Sequence, residues 1–262
     1  MISSMKIYQV DAFTNETFKG NPAAVCPLEE WISDDLMQHI AEENNVSETV
    51  FFVNKNTQFE LRWFTPTCEV DLCGHATLAA AHIIFTELNY KESVLEFSSK
   101  SGVLTVEKNE DWYTLNFPSE AIEEIETPQI LKDALNTPIL KTFKGIWKLL
   151  VVLENEAIIK NLTPNFSKLT ELEAPGIIVT SKGNEVDFVS RFFAPKIGIN
   201  EDPVTGSAHT LLIPFWAKKL NNNNLIAIQL SKRTGYLKCN YLNERVEISG
   251  QAITFLKGEL II

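Results

Sequence analysis

The sequence predicts an α+β fold of two similar halves, each built on a mixed or antiparallel sheet, and three observations carry that expectation. Strand-like segments outnumber helix-like ones in both halves and often lie as neighbouring hairpins, which is the pattern of α+β rather than doubly wound domains. The chain also repeats itself. "LRWFTPTCEVDLCGHATLAAAHIIF" from Leu61 and "SRFFAPKIGINEDPVTGSAHTLLIPFW" from Ser190 share an arginine, an aromatic, a phenylalanine and a proline, then an acidic loop, a glycine and a helix of small residues. Third, "SGVLTV" from Ser101 and "TGYLKC" from Thr234 keep nearly the same offset as Arg62 and Arg191. The link falls near "PSEAIEEIETP" (118–128), where charge rises and apolar periodicity fades. This divides the chain into halves of 1–120 and 121–262, with residues 255–262 also able to pack with the first.

The elements follow in order. KIYQVDAF reads as a strand; Ser33, with Asp34 and Asp35 behind it, caps a helix running through Asn44. ETVFFV and FELRWF alternate as strands, a helix starts at Gly74, and VLEFSS, GVLTVEK and DWYTLNF complete the half. In the second half Thr127-Pro128 opens a short helix, since proline is tolerated in the first helical turn. IWKLLVVL, GIIVT and VDFVSRFF read as strands around a helix near 165–172. A helix from Gly206 ends before the run Asn221 to Asn224, and strands at 226–231, 243–249 and 252–260 close the chain.

Composition removes several classes of function. A formal charge of −11 repels phosphate backbones, and no Lys/Arg cluster reverses it locally, so nucleic acid is not an expected partner. MISSMKIYQV lacks a basic segment followed by an apolar one, and no later window is long enough to cross a bilayer, so a cytoplasmic protein with no membrane partner is expected. Cys26, Cys68, Cys73 and Cys239 are scattered, giving neither a disulfide framework nor paired zinc knuckles. There is no Walker-type loop and no G-x-G-x-x-G, and "TGSAH" lacks the second glycine of a hydrolase elbow. His39 and His82 lack the i, i+4 spacing of a helical metal pair, and no metal site is expected.

The chemistry gathers at the two helix starts. Gly74 and Gly206 let a ligand approach the backbone, where free N–H groups and the positive end of the helix dipole favour an anion. Asp71 and Asp202 lie just upstream, and His75 and Ser207 immediately follow the glycines. Ordinary N-capping would account for either copy alone; the recurrence is what points to a small carboxylate. Glu48, after Ser47, enters a β-branched and aromatic strand in "NNVSETVFF". In a dry cleft it would be suited to take a C–H proton and return it elsewhere, whereas in an exposed turn it would do nothing.

Five segments in order, "VDAFTNETFKGNPAAV", "NVSETVF", "LRWFTPTCEVDLCGHATLAAAH", "RFFAPKIGINEDPVTGSAH" and "SGQAITFLKGEL", resemble the phenazine-biosynthesis (PhzF-like) isomerase family over almost the whole chain. The resemblance implies a diaminopimelate-epimerase-like fold, two pseudo-symmetric α+β halves with each sheet wrapped around a central helix and the active site in the cleft between them. It also implies a homodimer and a cofactor-free proton shift in a small unsaturated carboxylic acid of the trans-2,3-dihydro-3-hydroxyanthranilate kind. On the matching positions, Glu48 is the acid/base, and His75 and Asp202 act on the substrate. Ser47, Cys73, Gly74, Gly206 and Ser207 line its binding site. The related epimerases use two facing cysteines. Cys73 occupies one such place, but Thr205 stands before Gly206 where the second thiol belongs, and its hydroxyl has far too high a pKa to serve. One base on one face therefore fits better than two-base epimerisation. Cys73 itself reads either as a small packed hydrophobe or as a thiol activated by its helix. A racemase, or a metabolite-binding protein that keeps the cleft without turnover, are the alternatives.

Overall fold

The computed structural model describes residues 4–55 and 58–262; Met1 to Ser3, part of the stretch read above for a leader, lie outside it. The chain divides into two compact units, Met1–Asn116 with Ser249–Ile262, and Phe117–Ile248. The C-terminal segment thus belongs to the first unit from Ser249 onward. Among the described residues, no helix is long and apolar enough to cross a membrane.

The first unit contains β1 (Met5–Ala12), β2 (Asn21–Leu28), α1 (Asp34–Asn44), β3 (Glu48–Lys55), β4 (Gln58–Phe64), β5 (Glu69–Val70), α2 (Gly74–Thr86), β6 (Val94–Ser99), β7 (Gly102–Asn109) and β8 (Trp112–Pro118). The second follows with β9 (Glu123–Ile125), α3 (Gln129–Leu135), β10 (Lys141–Lys144), β11 (Lys148–Val152), α4 (Glu156–Asn161), α5 (Phe166–Leu169), β12 (Gly176–Lys182), β13 (Phe188–Ala194), β14 (Ile199–Asp202), α6 (Gly206–Leu220), β15 (Asn224–Gln229), β16 (Gly235–Tyr241) and β17 (Arg245–Gly250). Last comes β18 (Ala252–Leu260), which returns to the first unit and pairs with β1 from Met5↔Leu260 to Ala12↔Ala252.

The strands of the two units share one pairing scheme. In the first unit β1 is antiparallel to β2, β2 parallel to β3 across α1, β3 antiparallel to β4, β4 parallel to β6 across α2, and β6–β7–β8 antiparallel. In the second, β10 and β11 are antiparallel, β11 and β12 parallel across α4 and α5, β12 and β13 antiparallel, β13 and β15 parallel across α6, and β15 and β16 antiparallel. The repeat visible in sequence is therefore a repeat of topology, a mixed sheet in each unit.

Helix α2 is apolar on every side. All residues from His75 to Phe85 are buried, and the helix lies against β1, β2, β3 and β18. A helix with no polar face needs a sheet around it, and its alanines let that sheet come close. Helix α6 plays the same part against β11, β15 and β16. Outside each sheet the short helices cover the other face: α1 through Met37, Ile40 and Ala41, and α3, α4 and α5 through Leu131, Ile159 and Leu169. Ser33 caps α1 with its side chain on the Leu36 amide, as its sequence implies. At the start of α3, Pro128 is the N-cap rather than the first helical residue.

Matching arginines brace the loop before each buried helix. Arg62 holds Glu69 bidentately (Nε–Oε1 2.7 Å, Nη2–Oε2 2.9 Å), and Arg191 holds Glu201 in the same way (2.6 and 2.9 Å). Such forks fix orientation as well as charge. Helix α6 carries a second brace. Pro214 has no N–H, so the carbonyl of Thr210 is freed from the helix ladder and accepts the Glu120 amide at 3.0 Å instead. The Glu120 carboxylate then takes the Ile146 amide (2.6 Å) and the buried Lys148 ammonium (3.1 Å), which also donates to the carbonyl of Ser207 at 2.9 Å. Side chains at Gly145 and Gly176 would collide with this pair: a Cβ would sit 2.5 Å from Glu120 Oε1 at the first and 2.9 Å from Lys148 Cγ at the second.

Two predictions follow from the buried charges. Lys148→Met leaves the largely buried Glu120 carboxylate without its cation, and should lower the free energy of urea unfolding by about 3–5 kcal/mol, whereas Glu120→Gln with Lys148→Met should recover most of the loss. Burial also pulls His82 and His209 down to about 4, although His82 keeps Tyr113 (2.9 Å) and Thr254 (3.0 Å) as partners. The unfolded imidazoles bind protons near pH 6.5, so this stability is complete above that value and is lost as pH falls toward 4. Each histidine contributes roughly 3 kcal/mol, and urea midpoints should fall steeply across that window. A flat profile would contradict the assignment.

Candidate functional site

In the first unit, Glu48 opens β3 beside Ala23 of β2, and His75 stands in the first turn of α2 after its N-cap, Cys73. This brings three of the expected residues together. His75 Nε2 lies 3.0 Å from Glu48 Oε2, and both groups are largely buried. The contact is close but poorly aligned, since neither atom makes a hydrogen bond that satisfies both distance and angle. It is best described as a charge contact with both atoms still able to serve a third group. On the other side of the ring, Cys73 Sγ is 3.4 Å and Asn21 Nδ2 3.2 Å from His75 Nδ1. Ser47 donates its hydroxyl to Asn21 Oδ1 at 2.9 Å.

Burial disfavours the imidazolium of His75, but its contact with Cys73 and the charge of Glu48 outweigh it and hold the proton well above the usual histidine range. Burial, then the Glu48 charge, push the Cys73 thiol up. Cys73 is therefore a thiol rather than a thiolate at neutral pH, and Glu48 is the partner whose charge keeps the imidazolium. With the Asn21 amide as placed, Nδ1 accepts; the imidazolium form requires that amide to turn its oxygen to Nδ1. Cys73 is thus not activated by its helix: a nine-tenths buried thiol beside a carboxylate is a poor nucleophile.

Glu48, Cys73 and His75 offer donor atoms within 4.8 Å of one another. The thiol and Asn21 face Nδ1 whereas the carboxylate faces Nε2, so the three donors do not converge on one point, and the set suits proton transfer better than metal ligation.

The second unit gathers a different set. Asp202 ends β14 and accepts the hydroxyl of Thr205, the N-cap of α6. Gln229, fully buried at the end of β15, accepts the Thr205 amide at 2.8 Å and donates to the Asp202 carbonyl at 2.8 Å. Gly206 is buried and Ser207 half-buried in the first turn of α6. Neither Cys73 nor Thr205, the N-cap residues, uses its side chain to cap its helix.

Strand registers give residue-by-residue equivalences between the units. Phe51 pairs with Arg62 and Val179 with Arg191; three residues earlier on the same strands, Glu48 corresponds to Gly176, and their parallel neighbours Ala23 and Lys148 correspond too. Trp63 pairs with Val70 and Phe192 with Asp202, so Asp202 matches Val70. Asp71 is not its counterpart; it falls at Pro203, is exposed, and offers only its carbonyl to Ser101. The N-caps Cys73 and Thr205 do correspond. One unit thus has a carboxylate where the other has a glycine filled by the Lys148 stem and Trp147. Asn21, Lys148 and Gln229 were missed in sequence. Asn21 sits in "GNP", which reads as a turn, and Lys148 and Gln229 lie singly in apolar strands.

The sequence profile of the phenazine biosynthesis-like protein family (PhzC-PhzF) matches residues 10–258. The chain is 49% identical over 261 residues to an uncharacterized isomerase of Halalkalibacterium halodurans, covering 98% of each. A crystal structure of a PhzF-family phenazine biosynthesis protein from Enterococcus faecalis superimposes with a TM-score of 0.97 at 49% identity, covering 99% of this chain and 100% of that one. In fold alone it is also similar to a hydroxyproline epimerase from Agrobacterium vitis, covering 99% of this chain and 93% of that one (TM-score 0.65, 7% identity). A match of this length and identity, on the same repeated topology and with acid and histidine in contact, shows that the chain belongs to the phenazine biosynthesis-like family and is an isomerase.

Proposed function

We propose that this isomerase shifts a proton within a small, unsaturated carboxylic acid of the trans-2,3-dihydro-3-hydroxyanthranilate kind, with no cofactor and with Glu48 as its single acid/base. The observation that carries the reading is the pair of buried, poorly aligned atoms, Glu48 Oε2 and His75 Nε2, 3.0 Å apart at the head of a strand and a helix. A carboxylate there can remove a proton from carbon next to a π-system. The electron pair moves into that system, the double bond shifts, and the same carboxyl returns its proton to the far carbon. Atoms and electrons balance without a co-reactant.

The remaining roles follow the chemistry of each group. His75, with Cys73 against its ring and Ser47 behind Asn21, orients the substrate's hydroxyl or amino group, and Asp202 is assigned the same task. The N–H groups at Gly74, Gly206 and Ser207 take its carboxylate and the charge that develops. The glycine at position 176 supports one base rather than two, because the place that corresponds to Glu48 has no side chain at all. Thr205 supports it again, since its hydroxyl cannot act as the second thiol of an epimerase.

The test is proton NMR in D₂O with trans-2,3-dihydro-3-hydroxyanthranilic acid. Wild type should consume the compound with deuterium entering ring carbon, and Glu48→Gln should be slower by about 10²–10⁴-fold with its melting temperature kept. Undiminished turnover by Glu48→Gln would refute the assignment of the base, and an unchanged compound with wild type would refute the substrate.

A further inference from the structure

We propose that Asn21 is a positioning residue that keeps the proton of neutral His75 on Nε2, so that His75 faces the reaction as a hydrogen-bond donor and Glu48 is left as the base. The role in the reaction rests on the reading of Glu48 above; the placement of the proton does not.

Two groups approach His75 Nδ1, the Asn21 amide nitrogen at 3.2 Å and the Cys73 sulfur at 3.4 Å, and both are donors while the thiol keeps its proton. A neutral imidazole has one acceptor and one N–H. With donors crowded on Nδ1, the N–H belongs to Nε2, the edge that faces Glu48. The opposite tautomer would set a bare Nε2 lone pair 3.0 Å from a carboxylate oxygen and an Nδ1–H against the Asn21 NH₂, which is repulsive at both edges.

Beside neutral His75, Ser47 sets the orientation of the amide. Ser47 donates to Asn21 Oδ1 at 2.9 Å, so the oxygen is held away from the ring and the NH₂ is presented to it. Asn21 is fully buried at the first residue of β2, next to Pro22, which holds its backbone in the extended region. Ser47, immediately before Glu48, therefore orients the histidine from two bonds away. A serine hydroxyl can also accept, so when His75 takes a second proton the same pair can turn over together: Asn21 presents Oδ1 to Nδ1–H and donates to Ser47. The charged or titratable groups facing His75 are Glu48 and Cys73. Neither can replace Asn21: Glu48 meets the other nitrogen, and a thiol is a weak donor.

The tautomer can be read directly, without substrate, by long-range ¹H–¹⁵N correlation on ¹⁵N-histidine protein at alkaline pH, where His75 is neutral. Wild type should give the Nε2–H pattern. Asn21→Asp puts an acceptor against Nδ1 and should move the proton there, and Asn21→Ala should give a mixture. By the cost of a misplaced tautomer in enzymes that orient histidine with a neighbouring side chain, Asn21→Asp should lose on the order of 10²–10⁴-fold in deuterium incorporation measured at the same alkaline pH, and Asn21→Ala less. Wild-type His75 with its proton on Nδ1 would overturn the proposal. So would Asn21→Asp and Asn21→Ala both keeping the Nε2–H pattern, or a moved proton with unchanged turnover. If instead the tautomers shift as expected while Glu48→Gln remains active, the base assignment fails and the placement of the proton stands.

Discussion

The structure depends on burying a helix that has no polar face. Helix α2 gives up every side chain from His75 to Phe85 to the interior, and a helix so placed can satisfy its backbone only within itself and at its ends. The sheet supplies the surface around it; the loop before the helix must then deliver the chain to a fixed starting point. The Arg62–Glu69 fork, repeated as Arg191–Glu201, does this by tying the strand that precedes the loop to the short strand inside it. The first helical residues of both units consequently begin where strand ends, an arginine fork and a glycine leave them, with little freedom to drift.

On this shared frame the two units have diverged in charge. Position for position, the first unit has Glu48, Cys73 and His75 where the second has Gly176, Thr205 and Ser207. The exchange is physical as well as chemical. Where an acid stands in one unit, the other threads a lysine stem past a glycine and uses the ammonium to hold a helix carbonyl. A buried ammonium costs several kcal/mol in desolvation unless paired, and Glu120 pairs it. The second unit thus spends its buried charges on structure, whereas the first leaves Glu48 and His75 incompletely satisfied.

Much of this was legible in sequence because it is written in period and punctuation. The small-residue helices after Gly74 and Gly206, the Ser33 cap and the asparagine stop at Asn221 all read locally. The repeat was legible since Arg62 and Arg191 belong to forks with identical geometry. Strand β2 was not, because Pro22 and Pro27 argue against a strand, and only the positions of both at its ends make room for them. The helix expected near 165–172 resolves into Phe166–Leu169, with a separate turn of helix at Glu156–Asn161. Within the site, Glu48, Cys73 and His75 could be named from their motifs, but Asn21, Gln229 and Lys148 could not. Each is a polar residue whose partner is distant in sequence, and nothing in a strand's alternation marks which buried amide or ammonium will find a carbonyl across the sheet.

Strand β18 has a consequence for how the molecule is made. It supplies the outer neighbour of β1, yet it follows the whole of the second unit in the chain. The second unit is contiguous and can close its own core while still being synthesised, whereas the first must wait, with the edge of β1 unpaired, for a contact of very long sequence separation. The first unit is therefore completed only after the second, and until then its open edge is the surface that a chaperone, or another nascent chain, would meet.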